Sequence, residues 1–194
     1  MSKTKSLHYE LCLQGASWLR RRKKASCLSC PAFKHEYCGA CRACLYVAVE
    51  LSTQAVENTD VWGFDGYYTH VIEVKVSHAD FLADRKKYWR NVEPEYQAGN
   101  IRWFLCPEGV IKPEELPDGW GLLYCDGKKI SPVVAPVKRL QGCHGDLLIL
   151  YSILRREGFP KRIYNYRGTP TTIKPKTING IPEREYYKNH NKNQ

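Results

Sequence analysis

The chain of 194 residues contains no long apolar run. No stretch approaches the ~18 consecutive apolar residues that a membrane-spanning helix needs, so a helical span is not expected. The first residues, Met1-Ser-Lys-Thr-Lys-Ser6, lead into a polar helical pattern and not into the apolar core of a secretory leader, which points to a cytoplasmic protein. There is no internal repeat. Nor is there an even set of cysteines: with nine and no sign of export, a disulfide framework is disfavoured. Acidic residues are scarce at both ends. Residues 1–24 carry one Glu against seven Lys/Arg, and residues 159–194 carry two Glu against eight, whereas the middle holds seventeen acids against fifteen bases. The net charge of +10 therefore sits at the two ends of a near-neutral body. Such a distribution suits a polyanion, the bland alternative being two solvated tails.

What is present is enough for one domain with a real core. Leu7, Leu11, Gly15, Trp18 and Leu19 recur at helical spacing over about residues 7–24, and Arg20, Arg21, Arg22, Lys23 and Lys24 close that helix at its negative dipole end. Residues 45–51, 60–64 and 69–76 read as three strands, with an Asp65-Gly66 turn signal between the second and third. Ser77 reads as the N-cap of a helix from His78 to about Asn91, with Asp80 completing a capping box. Residues 101–106, 120–125 and 132–135 read as further strands. A last helix, 146–156, is expected to turn Leu147, Leu150, Tyr151 and Leu154 inward. The order argues an α/β fold around a mixed central sheet flanked by helices. Residues 1–158 form the expected domain, and 159–194, with four prolines and a basic Asn/Lys-rich end, read as an extended or disordered tail.

The third strand carries Glu73 and Lys75 among β-branched residues. Alternation puts these two on one face and Ile72, Val74 and Val76 on the other. With a two-residue Asp65-Gly66 turn, Asp60 pairs with Val71 and is a diagonal neighbour of Glu73; a four-residue loop keeps the same face relation, and a three-residue loop breaks it. Two converging carboxylates and a strand carbonyl, that of Val74, suit a hard cation such as Mg²⁺ or Mn²⁺. Such a cation activates water against a phosphodiester, and a neighbouring lysine offsets the charge that develops. The competing reading is a cross-strand salt bridge on a wet sheet face.

Asp60-x12-Glu73-Val-Lys75, set in a helix, three strands, helix, strand order, resembles the PD-(D/E)XK nuclease superfamily. The run Glu73-Val-Lys-Val-Ser-His-Ala-Asp-Phe-Leu-Ala-Asp-Arg-Lys86 is similar to the MmcB-like DNA repair proteins of that superfamily, as are Trp103-Phe-Leu-Cys-Pro107 and the stretch from Leu116 to Leu123. The resemblance covers about residues 45–156. It implies a restriction-endonuclease-like αβββαβ core and a metal-dependent deoxyribonuclease, with Asp60 and Glu73 as ligands, Lys75 as the catalytic lysine and, more weakly, Glu10 as an acidic residue on the first helix. Asp80 and Asp84 match the family helix, although capping and surface roles explain them as well. It also implies DNA as partner and a role in repair or processing, and it admits a homodimer. A non-catalytic nucleic-acid-binding protein on the same fold is the alternative, and a zinc-dependent interaction protein a weaker third.

The family pattern lacks the cysteine-rich segment 25–44. Cys27 and Cys30, then Cys38, Cys41 and Cys44, have the spacing of a structural metal loop in which four of the five thiolates close a tetrahedral site. His35 is an outside option. Zinc is expected, with an iron–sulfur cluster as the rival. Arg20 to Lys24, Lys34 and Arg42 would give this loop a phosphate-facing surface. Cys12, Cys106, Cys125 and Cys143 read as packing.

Overall fold

The strand over Thr69–Val74 is buried at every position and the strand over Ile101–Pro107 at all but its last, and these two form the centre of the sheet. The computed structural model describes residues 6–21, 42–84, 86–87, 96–139 and 144–157, and the backbone of residues 163–164, 170–171, 177–178 and 181–182. The chain divides into two compact units, Met1–Ile153 and Leu154–Gln194. In the first, helix α1 (Leu7–Arg20) precedes strands β1 (Tyr46–Val49), β2 (Val61–Phe64) and β3 (Thr69–Val74). Helix α2 (His78–Asp84) precedes β4 (Ile101–Pro107), followed by β5 (Gly121–Cys125), β6 (Ile130–Val134) and helix α3 (His144–Arg156), whose last turn belongs to the second unit. The six strands lie in sequence order. β3–β4 and β4–β5 are parallel and the remaining pairs antiparallel, giving a mixed α/β sheet. Among the described residues no helix is long and apolar enough to cross a membrane.

Both faces of the sheet are covered. Leu11, Cys12 and Leu19 of α1 are buried with Val61, Ile72, Val74, Ile101, Trp103 and Leu105. Burying each large aliphatic side chain contributes roughly 1.5–3 kcal/mol. Gly15 allows α1 to approach closely, since a Cβ there would lie 3.2 Å from Leu105 Cδ2. Leu7, one turn before Leu11, is nonetheless exposed, and Ser6 Oγ accepts from Tyr9 N to cap the helix. On the opposite face Phe81 of α2 packs with Phe104, Cys106, Ile111 and Leu122.

Two sequence expectations need correction. Helix α2 is described only to Asp84, and Lys86 N and Lys87 N bond Ala83 O and Asp84 O in tightened, three-residue turns. Tyr88 to Asn91 lie outside the described residues. In α3 the buried residues are Gly145, Asp146, Ile149 and Ser152, whereas Leu147 and Tyr151 point outward. The cause is Asp146: its carboxylate accepts from Trp62 Nε1 (2.6 Å), Thr69 Oγ1 (2.9 Å) and Gly99 N (3.0 Å), and this anchor rotates the helix away from its aliphatic pattern. Gly99 has φ +84°, a conformation that side-chain-bearing residues rarely adopt.

In the second unit, four two-residue strands make two antiparallel pairs, Ile163–Tyr164 with Pro170–Thr171 and Thr177–Ile178 with Ile181–Pro182. The loop expected over 25–44 lies outside the described residues up to residue 41, so Cys27, Cys30, His35, Cys38 and Cys41 do too, as do Arg22, Lys23, Lys24, Lys34 and Cys143.

Candidate functional site

The loop between β2 and β3 sets the register on which the site depends. It has four residues, because Phe64 pairs with Thr69, and not the two that Asp65-Gly66 suggests. Asp65 explains the difference: its Oδ1 accepts from both Tyr67 N and Tyr68 N at 2.8 Å, and Oδ2 lies 3.2 Å from His70 Nε2. Burial works against the Asp65 carboxylate, yet the His70 and backbone hydrogen bonds prevail and hold its pKa below the usual value.

With Val61 opposite Ile72, the next position of the ladder sets Asp60 opposite Glu73. Asp60 Oδ2 accepts from Val74 N at 2.7 Å, which fixes the carboxylate beside the end of β3. Val74 thus contributes an N–H to this contact. On the other side Glu50 N donates to Asp60 O at 2.8 Å, one step beyond the Val49–Val61 pair. Glu50, Asp60 and Glu73 therefore take facing backbone positions, the first just after β1, the second just before β2 and the third in β3. Like charges at such spacing repel, and a bound cation offsets that repulsion.

Lys75 is fully buried just past β3. Its Nζ lies 3.0 Å from Asp84 Oδ1 and 3.7 Å from Glu73 Oε2, and Lys87 Nζ approaches the same Asp84 oxygen at 2.9 Å. Burial alone would lower the Lys75 pKa; the negative charges of Glu73 and Asp84 and the hydrogen bond to Asp84 outweigh it, and the net shift is upward. Lys75 is accordingly an ammonium at neutral pH, a fixed positive charge and not a proton acceptor. Asp84, for which the sequence offered a surface role, is a buried partner of the lysine. Ser77 Oγ accepts from Asp80 N at 3.2 Å, the N-cap expected of it.

The first helix supplies His8, which the sequence reading did not single out. His8 Nε2 lies 3.4 Å from Asp60 Oδ2 and its Nδ1 3.4 Å from Glu50 Oε1. Cys12, one turn on, places Sγ 3.6 Å from His8 Nδ1. Burial first, then the charges of Asp60, Glu50 and Glu73, push the Cys12 thiol up to about 12. Glu10 is exposed and is not brought to this group: two residues from His8, it lies about 200° around the helix. The i, i+4 spacing of His8 and Cys12 was the sequence signal for this face. Glu50 is 46% exposed, His8 31%, Asp60 20%, Glu73 3% and Lys75 2%, so the cluster opens to solvent on the Glu50–His8 side.

The other named residues lie apart from this cluster. Arg20 and Arg21 are exposed at the end of α1. Arg42 stacks over Tyr67, 4.5 Å from the ring centroid. Cys44 is buried, and a Cβ at Gly63 would come within 2.9 Å of its Sγ. Cys106 and Cys125 are buried too, as packing residues are expected to be, and burial raises the Cys106 thiol to about 11.

No family model matches the chain, and no curated protein matches it. A solved structure of a protein of unknown function from Silicibacter pomeroyi is similar, with 23% identity over 58% of this chain and 74% of that one and a TM-score of 0.45, a likeness too slight to carry a functional argument.

Proposed function

We propose that the protein is a metal-dependent deoxyribonuclease with a restriction-endonuclease-like core. The observation that carries this reading is the end of β3: Asp60 faces Glu73 across the ladder, beside a buried ammonium, Lys75, that Asp84 holds in place. The donor set fits a hard divalent cation, since Asp60 and Glu73 offer carboxylate oxygens and the surrounding charge is predominantly negative. Asp60 and Glu73 would hold Mg²⁺ or Mn²⁺, which supplies polarisation of a phosphate oxygen and a lowered pKa for bound water.

The chain's own groups do the rest. Lys75 brings a positive charge that needs no proton uptake, suited to stabilising a phosphodiester as negative charge develops on it. Asp84 fixes the direction of that ammonium, and Val74 N–H fixes the Asp60 carboxylate. The basic residues toward the ends, Arg20 and Arg21 among them, suit the DNA backbone. A structural zinc held by four of Cys27, Cys30, Cys38, Cys41 and Cys44 remains part of the proposal.

Labelled single-stranded, duplex and branched DNAs, incubated with Mg²⁺ or Mn²⁺ beside Asp60→Asn and Glu73→Gln, test this reading. Metal-dependent cutting that both variants lose supports it. Binding without cutting on every substrate moves the assignment to a non-catalytic DNA-binding protein.

A further inference from the structure

We infer that His8, Cys12 and Glu50 form a second metal site, adjoining the Asp60–Glu73 pair, that takes a borderline transition-metal ion of the Zn²⁺ class. The three residues come from α1 and from the turn after β1. Their ligand atoms all lie within 4.8 Å of one another, the one such group among the described residues.

Both spacings to His8 match a chelate. Zinc–sulfur and zinc–nitrogen bonds of about 2.3 and 2.0–2.1 Å at a tetrahedral angle separate sulfur from nitrogen by about 3.6 Å; a zinc–oxygen bond near 2.0 Å sets oxygen about 3.3 Å from nitrogen. Cys12 Sγ is 3.6 Å and Glu50 Oε1 3.4 Å from His8 Nδ1. Nitrogen, sulfur and one carboxylate select zinc, cobalt or cadmium over magnesium, whose preference is for oxygen.

The far side of the imidazole is also arranged for binding. His8 Nε2 faces Asp60 Oδ2 at 3.4 Å. A carboxylate behind a ligating histidine selects the tautomer that leaves Nδ1 free to bind and raises its basicity. Glu50 itself has φ 45°, the only non-glycine residue with positive φ among those described. That left-handed conformation is unfavourable for glutamate, and here it accompanies a carboxylate placed against His8. The ion would tie the first turn of α1 to the end of β1 and hold Asp60 through His8.

The test is metal binding by the full chain, independent of DNA cleavage. Metal-stripped protein is titrated with Co²⁺ and with Zn²⁺, with bound ions counted by mass spectrometry and the cobalt complex followed by its near-ultraviolet thiolate-to-metal band. Wild type is expected to bind one more ion per chain than His8→Gln or Cys12→Ser, and the wild-type minus Cys12→Ser spectrum to retain a thiolate band. Glu50→Gln, at an exposed position that does not threaten folding, removes one of three ligands and is expected to weaken that one ion by more than the ~10–100-fold that losing an outer-shell partner costs. Unchanged ion count and affinity in His8→Gln and Glu50→Gln overturn the proposal even if Cys12→Ser fails to fold. A protein that binds this ion and cuts no DNA leaves the site standing and removes the nuclease reading alone.

Discussion

The two ends of β3 bury charge in opposite ways. At its N-terminal end every carboxylate meets donors that match it. Asp146 takes the Trp62, Thr69 and Gly99 donors, Asp65 takes two backbone N–H groups and faces His70, and Glu57 pairs with Arg102 and accepts from Ala98 N at 3.2 Å. At its C-terminal end, Glu50, Asp60, Glu73 and Asp84 gather around two ammonium groups and one imidazole. A carboxylate saturated by donors stabilises the fold, whereas a surplus of carboxylates costs stability unless a cation arrives. The surplus lies where open α/β sheets commonly bind ligands, outside the carboxyl ends of parallel strands.

Substitution at each end sharpens that contrast. Asp146→Ala is expected to have the largest effect, since it strands buried donors on Trp62 and Gly99, whereas Thr69 Oγ1 retains Asn100 Oδ1 at 3.0 Å; each unmatched group costs about 1–3 kcal/mol, for a total of about 2 kcal/mol or more. Urea unfolding measures it, and a loss below 1 kcal/mol would remove the structural role. Glu73→Gln is expected to cost less than Asp146→Ala, because losing the attraction to buried Lys75 is offset in part by relief of the repulsion with Asp60, and Lys75 keeps Asp84. DNA cleavage should fall about 10²–10³-fold, the scale of losing a charge aimed at the transition state. A variant that unfolds with full residual activity would invert the comparison.

The two ends should also fail at opposite extremes of pH. Asp65 has a folded-state pKa below its usual 3.8, so its stabilisation is complete above that value and is lost as pH falls through the lower, folded-state one. Lys75 has a folded-state pKa above its usual 10.5, so its contribution is complete below 10.5 and is lost as pH rises through the higher one. Unfolding free energies across a pH series should therefore show acid loss reduced in Asp65→Asn and alkaline loss reduced in Glu73→Gln. If either variant keeps the wild-type slope in its own range, the corresponding group does not act as described.

The sequence made strand periodicity legible, and with it the face shared by Glu73 and Lys75. It also made legible that Asp60 shares that face, since loops of two and four residues preserve parity. It did not show that Asp60 sits directly opposite Glu73, because the loop length depends on Asp65 accepting two backbone N–H groups. Asp84 was ambiguous, since a helix acid near a cap is commonly exposed. His8 and Glu50 come together only through tertiary packing, some forty residues apart in the chain, and no local period links them. The aliphatic pattern of α3 does not mark its inner face, because Asp146, a buried charge, overrides it.

The smallest predicted effect tests whether Glu50 is held for its carboxylate. A left-handed glutamate is disfavoured, while asparagine adopts that conformation readily. Glu50 pairs with His8 in a half-exposed setting, where such a pair contributes about 0–1 kcal/mol. In metal-free protein, Glu50→Asn should therefore leave stability unchanged or raise it by up to about 1 kcal/mol, read as the midpoint of urea unfolding at neutral pH. With Zn²⁺ present the order should reverse, because only the wild type gains the free energy of ion binding. A variant less stable than wild type without metal would mean that the His8 pair, and not the ion, accounts for the strained backbone at Glu50.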